Sequence, residues 1–101
     1  MVRIRSADSA KKALQDCAQE RHFWLSSNKF LKNLNELASA LEEIEDSVYK
    51  EHAKRGDFSN WVMDVIGDET LAKSLSSARN RQSAAKKVRA RCDFLQNLAQ
   101  K

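Results

Sequence analysis

The chain has 101 residues, 42% of them hydrophobic and 32% charged, with a net charge of +4. That is one domain's worth of sequence, with enough apolar side chains for a single core that folds without metal or disulfide help. No apolar run approaches the ~18 residues needed to span a bilayer. The first twelve residues, MVRIRSADSAKK, hold no hydrophobic segment, so neither export nor membrane anchoring is expected.

Zero prolines and only two glycines favour helices, since both usual breakers are scarce. Ser6 or Asp8 can cap a first helix reaching about Gln19, with Ala10, Ala13, Leu14 and Cys17 on its inner face. The pattern then breaks at HFWLSSNKFL. Phe23, Trp24 and Leu25 followed by Ser26, Ser27 and Asn28 suit a minor β-hairpin at Phe23–Phe30. Trp24 alternates with Phe23 and Leu25, so it falls on the face that is exposed or covered by a partner. It is the first candidate interaction residue.

Asn33 and Glu36 have the spacing of a capping box, with Asn in place of Ser or Thr. Leu34, Leu37, Ala38, Leu41 and Ile44 follow at three- and four-residue steps and predict the next helix. Its acidic end, Glu42, Glu43, Glu45 and Asp46, lacks the loop spacing of a calcium site and reads as a solvated face. Asp46 is expected to cap a short helix carrying Val48, Tyr49 and His52, and Arg55-Gly56 to form the joint that follows.

Asp57 then opens a helix with Phe58, Trp61, Val62, Val65 and Ile66 on one face. Gly67 stops it and Asp68 starts another through Leu71, Ala72 and Leu75. After the polar link SSARN, Asn80 caps a long last helix with Ala84, Ala85, Val88, Cys92, Leu95 and Leu98 inward. The fold class expected is all-α, a small single-domain bundle of five or six helices spanning 1–101 with that one hairpin.

The stretch from Phe23 to Leu75, most of the chain, resembles a family of short, mostly archaeal proteins and appended domains of unknown function. The residues that carry the resemblance are Asn33, Leu34, Glu36, Leu37, Ala40, Leu41, Asp46 and His52, then Asp57, Phe58, Trp61, Val62, Asp64, Val65, Gly67, Asp68, Leu71 and Ala72. Tyr49, Ala53 and Gly56 stand where Phe, Val and Asn would continue the pattern. The resemblance implies a helical fold and brings no activity, cofactor or partner with it.

Four kinds of site are weighed on the residues themselves. Histidine is the side chain that ordinarily ionises near neutral pH, and His52 with Asp57 has the make-up of an acid–base pair. No nucleophile motif or glycine-rich phosphate cradle accompanies it, so a packed histidine bonded across the helix joint is the expected role. Trp61 and Phe58 have the types that dominate binding hot spots but a helical spacing that favours the core. Cys17, His22, His52 and Cys92 are suitable zinc ligands, yet they lack local ligand pairs. Two distant cysteines instead suggest small buried hydrophobes in a reducing cytoplasm.

Charge supplies the fourth. Residues 1–78 hold 11 Lys/Arg against 13 Asp/Glu, whereas residues 79–101 hold seven against Asp93 alone. Arg79, Lys86, Arg89 and Lys87 fall near one another on the last helix, a face that can meet phosphates or an acidic protein. No DNA-reading motif or RNA-stacking signature accompanies them. The expectation is a non-enzymatic interaction or regulatory module with no cofactor and another protein as partner. Non-sequence-specific nucleic-acid binding through the last helix is the alternative.

Overall fold

The computed structural model describes residue 4, residues 6–26 and residues 28–100. Among these, six α-helices and one two-stranded antiparallel hairpin are formed, and 71% of the chain is helical. No helix among the described residues is long and apolar enough to cross a membrane.

Helix α1 (Ala7–Leu14) starts where two serines complete a reciprocal capping box: Ser6 Oγ accepts from Ser9 N–H, and Ser9 Oγ accepts from Ser6 N–H. It ends five residues before the expected Gln19. The reason is long-range: Cys17 N–H donates to the Lys32 carbonyl at 2.7 Å, and Asp16 Oδ1 accepts from Asn33 Nδ2 at 2.7 Å. Those bonds draw the chain out of the helix and along the end of the hairpin. Cys17 therefore lies outside α1, half-buried, rather than on its inner face.

A 3-10 turn (Gln19–Arg21) leads into β1 (Phe23–Ser26), which pairs with β2 (Lys29–Leu31). Phe23 faces Leu31, Trp24 faces Phe30 and Ser26 faces Lys29, with an irregularity between Trp24 and Ser26. Ser27, in the expected turn, lies outside the described residues. Phe23, Leu25 and Leu31 point into the core while Trp24, Ser26 and Phe30 point out, the two-residue alternation of a half-buried sheet.

Helix α2 (Leu34–Glu43) is capped by Asn33, whose Oδ1 accepts from Glu36 N–H at 2.8 Å. Glu36 returns its carboxylate to Lys32 N–H, one residue before the position a full capping box uses. Helix α3 (Asp46–Lys54) begins at Asp46, which is not its cap. Glu45 holds that position without a side-chain bond, and Asp46 accepts from Arg81 Nε at 3.1 Å instead. Gly56, at φ +72°, turns the chain into α4 (Asp57–Trp61), which runs on through a π turn (Val62–Ile66) to Gly67 at φ +82°. Both left-handed positions carry the residue that adopts them without a Cβ clash. Asp68 caps α5 (Glu69–Ser76) through Leu71 N–H, and Asn80 caps α6 (Arg81–Ala99) through Ser83 N–H.

Helix α6 is the spine, packed along α1 and α2 with α5 beside it. Its Ala84, Ala85, Val88, Cys92 and Leu95 are buried against Leu34, Leu37 and Leu41 of α2 and Ala10 and Ala13 of α1. Each buried leucine contributes about 1.5–3 kcal/mol relative to exposure. The hairpin closes the other side of the core over α3 and α4.

Candidate interaction face

The hairpin is fastened from behind by aromatic packing. Phe23 stacks on Phe58 (ring centroids 5.1 Å, 17° between planes) and meets Trp61 edge-on at 5.8 Å. Trp61, 7% exposed, donates from Nε1 to the Arg21 carbonyl at 2.8 Å. Its spacing had marked it as either groove or core, and it belongs to the core.

His52 provides the polar fastening. Only 8% exposed, it places Nδ1 2.8 Å from Asp57 Oδ2 and Nε2 3.0 Å from the Leu25 carbonyl oxygen. Arg55 Nη2 also lies 3.5 Å from Nδ1, so both ring nitrogens are engaged. The Phe23 ring covers it at 5.1 Å and the Phe58 ring at 5.4 Å. Asp57 is the first residue of α4 rather than its cap. Its carboxylate goes not to backbone N–H groups but to His52 and to Arg55 Nε at 3.1 Å. Partial burial pulls the Asp57 pKa up, but the hydrogen bonds and charges of His52 and Arg55 prevail and hold it below the usual value. As an acid–base pair this arrangement is closed. Nε2, the nitrogen that would exchange a proton with a substrate, is held by Leu25.

In front of this buried layer stand the exposed rings. Trp24 is 57% exposed and Phe30 44% exposed, with centroids 5.4 Å apart. His22 stacks flat on Phe30 at 4.5 Å, within 1° of parallel, and completes a continuous row of three rings across the outer face of the hairpin. The sequence singled out Trp24 but not Phe30 or His22. The signal was the pairing register, which puts Phe30 opposite Trp24. Beside Phe30 a groove of about 410 Å³ runs between β2 and α2, with Lys29, Asn35, Glu36, Ala40 and Glu43 in its lining.

No family model matches the chain, and no curated protein or solved structure matches it either.

The basic helix is less available than its composition suggests. Arg89 Nη2 is 3.0 Å from Glu42 Oε1 and 3.4 Å from Ser39 Oγ. Arg81 binds Asp46 and the Leu41 carbonyl, and Arg91 grips Asp68 through two bonds of 2.7 and 3.1 Å. Arg79, Lys86 and Lys87 form no ion pair with another described residue, but Arg79 lies before the Asn80 cap and so outside α6, which leaves two uncommitted cations of the expected four-residue phosphate face on the helix itself. Phe94, 49% exposed under the Arg91 guanidinium at 4.8 Å, is a further exposed ring that helical spacing did not flag.

Cys17, His22, His52 and Cys92 are not assembled into a ligand set, and no group of three or more His, Cys, Asp or Glu among the described residues is placed to hold a metal ion. Burial pushes the Cys92 thiol up to about 11, as expected of a cysteine packed as a small hydrophobe.

Proposed function

We propose that this protein is a non-enzymatic interaction module that binds another protein through the outer face of its hairpin. The observation that carries the reading is the row His22–Phe30–Trp24, with Trp24 and Phe30 exposed, on a hairpin whose opposite face is packed through Phe23 on Phe58, Trp61 and His52. Monomers expose single apolar residues freely, but adjoining large rings on a packed hairpin have the make-up of a binding hot spot. The closed His52–Asp57 pair favours a structural over a catalytic histidine, and the two unbridged cysteines fit a reducing cytoplasm.

The test is capture of partners from cells by the full chain and by Trp24→Ala and Phe30→Ala, after nuclease treatment, with circular dichroism confirming each fold. Partners lost with both ring deletions support the reading. An unchanged set of partners rejects it.

Nucleic-acid binding through α6 and the link before it is the second reading, and the exposed Arg79 of the link with Lys86 and Lys87 of the helix are what favour it. Its salt dependence should be shallow, because each neutralised phosphate adds about 0.9 to the slope of log affinity on log salt and only three cations are uncommitted. Neutralising Arg79, Lys86 and Lys87 together must then abolish binding, while Arg89→Gln should matter little.

A further inference from the structure

We infer that the segment docking on this face is a short extended stretch of protein in which an apolar side chain packs on Trp24 and Phe30 and a lysine or arginine, within about three residues of it, enters the groove toward Glu43. The inference rests on the hairpin reading above and adds the chemistry of the partner. Three observations carry it.

Phe30 belongs to both surfaces: it is the middle ring of the exposed row and a wall of the groove. A ligand seated on the rings is therefore already at the mouth of the groove. At about 410 Å³ the groove falls within the range of sites that bury small ligands and side chains.

The groove also has a direction and a length. Glu36, Ala40 and Glu43 line it from successive turns of α2, so it follows that helix for about 10 Å at 1.5 Å per residue. Three residues of extended chain cover the same distance at about 3.3 Å each.

Its charge is the third. Glu43 is exposed and makes no ion pair with another described residue, and Glu36 spends one carboxylate oxygen on Lys32 N–H, leaving the other uncommitted. Lys29 is the only cation among the described residues of the lining, and it sits on the strand side, so the α2 wall is acidic. Two carboxylates against a cationic side chain give charge-assisted bonds, whereas a phosphate backbone or an acidic peptide in the same groove meets like charge. That selects a basic-apolar protein segment over a single-stranded nucleic acid, for which the row of rings alone would have served. Pairing of a strand onto β2 is not needed: its neighbour Lys32 already uses its N–H on Glu36 and its carbonyl on Cys17.

The test pans a phage-displayed library of random twelve-residue peptides against the full chain. Binding of the enriched peptides is then followed by fluorescence polarisation on wild type, Trp24→Ala, Phe30→Ala and Glu43→Lys, with an oligothymidylate as competitor. All three altered residues are exposed, so folding is expected to persist and is checked by circular dichroism. Enriched peptides should pair an aromatic or aliphatic residue with a nearby Lys or Arg and lose about tenfold in affinity on Glu43→Lys, roughly one charge-assisted contact. Peptides that need Trp24 and Phe30 but ignore Glu43, or that are acidic, overturn this inference and leave the hairpin reading standing. Binding indifferent to both rings, or no enrichment at all, overturns both, and displacement by oligothymidylate overturns them in favour of nucleic acid.

Discussion

The Nε2 of His52 lies 3.0 Å from the carbonyl oxygen of Leu25, a hydrogen bond that ties the third helix to a strand 27 residues earlier in the chain. Nδ1 faces Asp57 at 2.8 Å at the same time, so one ring bridges the start of α4 and the hairpin. Removing that bridge should loosen the hairpin without unfolding the bundle. Amide protons of Phe23–Ser26 should exchange faster with solvent in His52→Ala than in wild type, read by NMR. Unchanged exchange would show that the Leu25 bond contributes nothing. His52→Ala should cost about 2–4 kcal/mol in urea unfolding, since it leaves a cavity and strips a buried carbonyl of its donor.

Asp57 sets the acid side of stability. Its folded pKa lies below the ordinary value of 3.8, so the bonds from His52 and Arg55 contribute fully above that value and are lost as pH falls through the folded one. Wild type should therefore lose stability on acidification below about pH 4, and Asp57→Asn should lose less over the same interval. Parallel acid limbs in the two proteins would mean that other carboxylates govern it.

How much of this was legible in the chain depends on the range of each interaction. Asn33, Asp68 and Asn80 announce helix starts because a cap reads residues only three positions away, and Gly67 announces a stop because its φ of +82° suits no other residue as well. The end of α1 was not legible, since the bond that stops it comes from Lys32, fifteen residues on. Asp57 looked like a cap by the same local rule that worked for Asp68, but His52 and Arg55 compete for its carboxylate. On the candidate face, Trp24 followed from strand alternation alone. Phe30 and His22 needed the hairpin register, and the loss of Arg89 from the phosphate face needed Glu42, 47 residues away. Short-range chemistry is written in the sequence, and pairings that depend on how helices meet are not.

Asp68 performs two tasks at 1% exposure: Oδ1 accepts from Leu71 N–H to start α5, and both oxygens bind Arg91 of α6. Removing one member of a buried pair strands the other's charge, at a cost of about 3–5 kcal/mol. Arg91→Ala and Asp68→Ala should both fall in that range by chemical denaturation, with Asp68→Ala the worse because the cap goes too. Combining Asp68→Asn with Arg91→Met should cost less than Arg91→Ala alone, since Asn keeps the cap and no charge is left buried. A double variant as unstable as the single one would show that the pair acts through shape rather than charge.

The two cysteines should report separately on local and global opening. Cys17 is half-buried beyond the end of α1, and its thiol donates to the Arg21 carbonyl at 3.4 Å. Burial is the main influence raising its pKa, so it reacts slowly at neutral pH but is within reach of a reagent. Cys92 is 1% exposed in the middle of α6, and its pKa of about 11 leaves almost no thiolate at pH 8. At pH 8 a thiol reagent should label one site per chain, Cys17, and reach Cys92 only in denaturant. The sign for stability follows from the same shift. A thiol whose folded pKa is raised contributes fully below its unfolded value of 9.0 and loses that contribution as pH climbs toward about 11. Cys92→Ala should flatten the alkaline limb while lowering stability at neutral pH, and Cys17→Ala should change both far less. Labelling of Cys92 in the native protein at the rate of Cys17 would mean that α6 lifts from the core without global unfolding.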